Sequence, residues 1–269
     1  MMRSLWTAAS GMKTQQLTVD TIANNLANAN TIGFKKERLE FKSLLYETMR
    51  EAGGPNEQGA PVNLQVGHGV RAAGSVKTFT QGNIEVTEAP LDFAMAGNGF
   101  FAVETFDGSV KYAKAGAFKV SQEDGELTLT DVNGYRILNA DGDPITFEEG
   151  VAMENVVVDE MGNFSTVVDG EPVDLDIQFE IVQFPNVAGL KTLGNGLFDT
   201  TAASGEAISE HDNEDLKKSS IIQGALEASN VQAVEEMVGM IIAQRAYELS
   251  SKAIQTSDDM LGMANNLKR

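Results

Sequence analysis

Hydrophobic residues recur with a helical period at both ends of the chain and with a period of two between them. Near the N-terminus Leu5, Met12, Val19 and Leu26 fall seven residues apart, with Ala8 and Ile22 three positions after the first and third, and Gln15 interrupting the seam. The spacing predicts a helix from Ser4 to about Asn28, ~37 Å long at the usual rise per residue. Near the C-terminus Ile242, Ala246, Leu249, Ala253, Thr256, Met260, Met263 and Leu267 alternate in steps of four and three, a heptad seam. Val231, Val234, Val238 and Ile241 widen the stripe upstream. Ser229 and Gln232 have capping-box spacing, which places the helix start near Asn230 and gives a length of ~57 Å to residue 267. Each helix is too apolar on one side to stand alone, so each requires a partner.

Between the helices, "LDFAMAGNGFFAVETFDGSVKYAKAGAFKV" and "GELTLTDVNGYRILNADGDPITF" alternate around turn pairs. Asp107-Gly108, Asp124-Gly125, Asn133-Gly134 and Asp141-Gly142 are hairpin signals flanked by β-forming residues. Further strands are expected at 155–159, 164–168 and 177–184. The segment 51–67 is rich in Gly, Pro and Asn and lacks periodicity, so it reads as an extended connector. Residues 204–220 read as a polar surface loop. The expected class is α+β: long N- and C-terminal helices form a coiled-coil-like terminal domain, and an antiparallel β-rich middle domain is inserted between them. The expected boundaries are a helical segment 1–32, a connector 33–85, a β-rich domain 86–200, a return connector 201–229 and a helical segment 230–269.

Charge changes this picture more than composition does. The formal net charge is −19. Residues 1–50 carry 7 Lys and Arg against 4 Asp and Glu, and residues 221–269 carry 4 against 6. The remaining 9 basic and 29 acidic residues lie in 51–220, so nearly neutral ends flank a strongly acidic middle. Nucleic-acid binding is disfavoured, because phosphates require a basic footprint. The absence of cysteine excludes disulfides and thiolate metal sites, and only His68 and His211 could supply imidazole. No run of 18 apolar residues is present for a membrane helix, and "MMRSLWTAASGMKTQQ" lacks the apolar core of an ordinary secretory signal.

Candidate chemistry is mostly eliminated by context. "GNGFFA" at 97–102 resembles a truncated dinucleotide fingerprint but leads into a β pattern rather than a helix. Asn139, Asp141 and Asp143 resemble the start of a calcium loop. Pro144 stands where that loop needs Gly, and Gly150 where it needs a bidentate Glu, so a hairpin turn is expected. The sequence contains no G-x-S-x-G nucleophile motif. Neither an enzyme nor a bound cofactor is expected.

Three sets of residues carry a resemblance. "ANNLANANTIGFKK" and "SNVQAVEEMVGMIIAQRAYELSSKAIQTSDDML" are similar to the N- and C-terminal signatures of the bacterial flagellar rod and hook proteins. "LDFAMAGNGFFAV", "YAKAGAFKVSQEDGELTLTDVNGYRIL" and "FPNVAGLKTLGNGLFDTTAASG" resemble the family's middle blocks in their usual order. "FKSLLYETMREAG" followed by "VNLQVGHGVRAAGSVKTFTQGNIEVT" is most similar to the distal-rod branch, with proximal-rod and hook subunits the alternatives inside the family. The acidic "EHDNED" departs from the family's usual Gly/Pro-rich loop. A secreted adhesin, with a β-rich binding domain on a helical stalk, is the alternative of another class.

The resemblance implies a self-assembling helical homopolymer, with neighbouring rod and hook subunits, the flagellar export apparatus and the rings around the rod as further partners. It implies export to the basal body without a cleaved signal peptide. Leu5, Met12, Val19, Ile22, Asn24, Asn25, Leu26 and Asn28 at one end are then expected to pack between copies, with Val238, Ile242, Ala246, Leu249, Ala253 and Met260 at the other. Amides donate and accept without charge, so Asn24 and Asn28, one turn apart, can bond neighbouring copies without like-charge repulsion, while Asn30 is read as a cap before Gly33. Tyr46, Met49, Pro61, Leu64 and Val66 are the expected connector anchors, and Phe41 and Leu45 match a short element read at the export gate. Without partners the terminal helices, residues 1–30 and 232–269, are expected to be disordered.

Overall fold

The computed structural model describes residues 2–51, 62–123, 126–147, 153–168, 171–213 and 216–266. The chain divides into two compact units. The first comprises Met1–Ala27, Glu37–Lys77 and Gln232–Arg269, and the second Asn28–Lys36 and Thr78–Val231. The class is α+β, with helices at the two ends and strands between them.

In the first unit, helix α1 spans Met2–Ala27 and helix α2 spans Ala233–Asn266. Helix α2 opens three residues later than its cap signal suggests. Ser229 Oγ accepts from Val231 N–H at 3.3 Å in a local turn, and the helical ladder begins with Glu236 N–H on the Gln232 carbonyl at 3.1 Å. Residues expected to form an extended connector pair with each other. Strand β1 (Glu37–Ser43) lies antiparallel to β4 (Val70–Lys77), and β2 (Tyr46–Arg50) to β3 (Leu64–Gly67). Leu44 N–H donates to the Gly69 carbonyl at 2.9 Å between the two pairs, so the chain runs out and back as one long ribbon. β2 is exposed along its whole length, and no alternation of burial marks it in the sequence. Pro61 and the rest of 52–61 lie outside the described residues.

The second unit is antiparallel β throughout its described pairings. Its largest sheet runs in the order Thr146–Phe147, Glu126–Asp131, Arg136–Ile137, Phe100–Glu104, Val110–Ala113, Leu197–Asp199, Lys191–Gly194, with three further strands joined off this path. Val156–Val158, Asn163–Val168 and Glu171–Gln178 form a three-stranded sheet. Phe93, Phe101, Phe118, Phe164 and Phe179 meet in its core, with ring centroids 4.7–6.4 Å apart in mostly tilted or edge-on pairs. The turn chemistry follows the sequence. Gly108, Gly134 and Gly142 all have positive φ, and the Asn139 carboxamide accepts from the Asp141 and Asp143 N–H groups, making a hairpin turn. Asp124-Gly125 lies outside the described residues.

The expected return connector 201–229 is part of this unit. Ser220–Gln223 pairs with Phe93–Ala96, and Ala225–Glu227 with Ile84–Val86. Strands of three and four residues are too short to register a period of two. The acidic loop is closed at its base by buried Glu210, which accepts from Ser219 N–H at 2.6 Å and Ser219 Oγ at 2.7 Å. The "TIGFKK" stretch also joins this unit. Gly33, at φ +67°, donates to the Glu227 carbonyl at 2.8 Å, and a Cβ there would meet Ala115 N at 2.8 Å, so the close approach requires glycine. Lys35 is fully buried and ion-paired to Glu227 at 2.7 Å, with Thr80 O accepting a second proton at 2.9 Å. Removing one member of such a pair costs about 3–5 kcal/mol.

Lys114 is a second buried ammonium, donating to the carbonyls of Gly97 at 2.8 Å and Gly99 at 2.7 Å and lying 5.2 Å from the centre of the Phe100 ring. Burial pushes its pKa from 10.5 down to about 8, against the pull of Glu227. Below the folded pKa both states are protonated and the cost of burying the charge is fully present. Between about 8 and 10.5 the unfolded chain binds more protons, so stability rises with pH. Urea unfolding near neutral pH and near pH 10 is expected to register a gain of up to ~3 kcal/mol from this group. Lys114→Met removes that gain. A parent-minus-variant difference independent of pH would contradict the assignment.

A helical hairpin and its ribbon as a candidate assembly interface

Helices α1 and α2 pair antiparallel along a seam of small and polar residues. Ser4 Oγ lies 3.3 Å from Ser257 Oγ, and a Cβ on Gly11 would sit 3.4 Å from Ser250 Oγ. A Cβ on Gly239 would sit 3.4 Å from Ile22 Cδ1, and Asn25 Nδ2 donates to Glu236 Oε2 at 3.1 Å. These contacts advance along α1 by seven, eleven and three residues and retreat along α2 by the same steps, so one register holds over the whole hairpin. Small side chains let the helices approach closely. They also contribute little apolar burial: the fully buried residues are Thr14 and Asn25 on α1, and Glu236, Ala243 and Ser257 on α2.

The large apolar residues of α2 point elsewhere. Val238 is 52% exposed, Ile242 64% and Leu249 67%, and Val234, Ile241, Met260 and Met263 are exposed with them. Residues seven apart share a helix face, so Ile242 and Leu249 form a row while Glu236, Ala243, Ser250 and Ser257 form the row facing α1. The heptad stripe of α2 is therefore not the seam with α1. A continuous apolar face on an isolated helix pair marks an interaction surface.

The ribbon lies back along α1, fastened at three levels. At its base the Asn25 carboxamide brackets Glu37, accepting from its N–H at 3.0 Å and donating to its carbonyl at 2.8 Å. Midway, Ser10 Oγ accepts from Val70 N–H at 3.3 Å. Near the N-terminus of α1, Arg3 pairs with Glu47 at 2.7 Å and reaches Met49 Sδ at 3.9 Å. Leu45, Tyr46, Met49 and Leu64 remain exposed on the ribbon, Leu45 at 87%.

The described residues thus combine an exposed apolar helix face, close-packed terminal helices and an inserted β unit, and the chain can be compared with known proteins on that footing. Residues 5–35 match the family described as flagella basal body rod protein, residues 94–166 the flagellar hook protein FlgE/F/G D1 domain, and residues 222–267 the flagellar basal body rod FlgEFG protein C-terminal. The flagellar basal-body rod protein FlgG of Borreliella burgdorferi is 46% identical over 274 residues, spanning 100% of both chains. Those of Caulobacter vibrioides (37%, over 99% of this chain and 100% of the relative) and Bacillus subtilis (37%, over 100% of both) are also similar. The chain belongs to the flagellar basal-body rod protein family.

Within this rod-family chain the sequence-derived residues divide. Leu5, Met12, Val19, Ile22 and Leu26 are half-buried on α1, flanking or entering the seam. Ala246 is half-buried beside the seam and Ala253 exposed, while Val238, Ile242, Leu249 and Met260 lie on the open face. Asn25 is corrected: at 1% exposure it bonds within its own chain and is closed to neighbouring copies. Asn24 is exposed, and Asn28 accepts from Thr31 Oγ1 at 3.2 Å in the turn that follows α1. Val66 is half-buried opposite Glu47, and Phe41, on the ribbon, is exposed. Glu236 and the glycines of the seam were missed. Glu236 heads the period-seven row Ala243, Ser250 and Ser257 beside the apolar one, whereas Gly239 lies off that row and Gly11 falls with Ser4 and Thr18 at the same spacing on α1.

Proposed function

We propose that this protein is a structural subunit of the flagellar distal rod, polymerising into a helical tube that carries torque from motor to hook. The observation that carries the reading is the exposed apolar face of α2, which a neighbouring copy would cover. The nearly neutral charge of the two ends supports placing them at the crowded axis of a polymer, and the strongly acidic middle supports placing the β unit outside. The function is mechanical, with no catalysis, cofactor or nucleic acid involved. Among the described residues no helix is long and apolar enough to cross a membrane, and no cluster of metal-binding side chains occurs. Neighbouring rod and hook subunits, the surrounding rings and the export apparatus are the proposed partners, with Phe41 and Leu45 on the exposed ribbon available to the export gate. Proximal-rod and hook roles are the alternatives within the family. The adhesin reading receives no support from the relatives. Antibody labelling of purified basal bodies tests the assignment: label is expected on the distal rod, and label confined to the hook or proximal rod would overturn it.

The ribbon gives the reading its stiffness. A shaft must resist bending, and exposed Tyr46, Met49 and Leu64 can seat against adjacent subunits and tie successive layers together. The ribbon is fastened to its own α1, and its exposed apolar side chains are left for a neighbour. Removal of residues 51–63 is expected to leave export and the β unit intact but to give short, fragile or bent rods in electron micrographs. Straight rods of normal length would reduce the ribbon to a tether.

A further inference from the structure

Asn25 uses its whole carboxamide. Oδ1 accepts from Glu37 N–H at 3.0 Å, one Nδ2 proton goes to the Glu37 carbonyl at 2.8 Å, and Nδ2 also reaches Glu236 Oε2 at 3.1 Å. The first two bonds pair the side chain with one backbone residue as a neighbouring strand would. Glu37 is no arbitrary residue: with Lys77 it forms the first rung of the β1–β4 ladder, from which the register runs to Ser43 opposite Val70. The third bond ends on a carboxylate that is 4% exposed in the first turn of α2. One amide thus joins the last turn of α1, the first turn of α2 and the root of the ribbon. Aspartate lacks the two N–H donors, glutamine holds them one methylene too far out, and alanine leaves both backbone groups of Glu37 without this partner.

We infer that Asn25 is the positioning residue that sets the ribbon on the paired helices, so that helix pairing and ribbon placement form one coupled step. The purpose of this coupling rests on the rod-subunit reading; the geometry does not. A subunit entering a polymer would then present its ribbon in a fixed direction as soon as its helices close. Buried polar groups that are fully satisfied serve such uniqueness of arrangement, because every displaced alternative leaves a donor or acceptor unpaired.

The chain has no cysteine, so introduced pairs report cleanly. Ser4→Cys with Ser257→Cys reports helix pairing, and Ser10→Cys with Val70→Cys reports ribbon placement, in the full chain. In the parent both disulfides are expected to form readily under mild oxidation. With Asn25→Ala or Asn25→Gln the ribbon disulfide is expected to form at least ~10-fold more slowly, while the helix disulfide changes less than about 2-fold; such a 10-fold change corresponds to ~1.4 kcal/mol. Glu236→Gln, which keeps an acceptor for Asn25, should spare both. Unchanged ribbon closure in Asn25→Ala would overturn the inference. So would an equal loss of both disulfides, which would make Asn25 a helix-packing residue only, or a parent in which the helix pair does not close. Pelleting of polymers, measured separately, reports on the rod reading and leaves this comparison intact.

Discussion

A chain carrying Ile242→Glu or Leu249→Glu is expected to keep its β unit folded and to lose the ability to polymerise. Both residues lie on the face of α2 turned away from α1, so neither substitution touches the hairpin seam. In the polymer each would bury a carboxylate among apolar side chains without a partner. A cost of ~3 kcal/mol per subunit contact corresponds to a rise of roughly 100-fold in the concentration needed for assembly. Sedimentation of the purified chain over a concentration series checks this, with circular dichroism as the control for folding. Ala246→Glu is the less discriminating variant, because Ala246 is half-buried beside the seam and a carboxylate there also disturbs the pairing with α1. Polymers of normal yield from both Ile242→Glu and Leu249→Glu would remove the open face from the account.

Below the assembly threshold, α1 and α2 are expected to open often and exchange their amides far faster than the β unit, while still closing often enough for an introduced disulfide to trap the pair. The two helices together bury only one apolar side chain fully, Ala243, against four polar ones. Helices without tertiary burial are marginal in water, and small seam residues offer little area to offset the entropy of ordering them. The β unit, by contrast, closes around a cluster of buried phenylalanines. Amide exchange of a verified monomer should therefore separate into two classes, differing by several orders of magnitude, with the slow class confined to the β unit, Asn28–Lys36 and Thr78–Val231. Slow exchange across both helices in that monomer would mean that the hairpin stands alone and that assembly is not what folds it.

The elements readable in the sequence are those whose burial has a period. The two helices announce themselves through apolar steps of three and four, and the hairpins of the β unit through Asp-Gly and Asn-Gly pairs. The apolar row of α2, read as packing between copies, does not by itself say which row of the helix meets α1. That row is Glu236, Ala243, Ser250 and Ser257, where mostly small side chains give closeness rather than hydrophobicity. The ribbon was illegible for a related reason: β2 is exposed on both faces, so no alternation marks it, and only pairing with a segment 14 to 21 residues away defines it (Tyr46 with Gly67, Arg50 with Leu64). Asn25 was noticed, but as one of four asparagines. That it alone among them is fully buried depends on where α1 ends and the chain returns, which no local pattern encodes.

The central claim is that copies of this chain pack through the open face of α2. A helical reconstruction by electron cryomicroscopy of polymers assembled from the purified full chain tests it most directly. The account predicts an inner layer of helices in which Val238, Ile242 and Leu249 of each subunit are covered by helices of neighbouring copies, with the acidic β unit outside. A polymer in which that face stays open to solvent while the β units make the subunit contacts would contradict it.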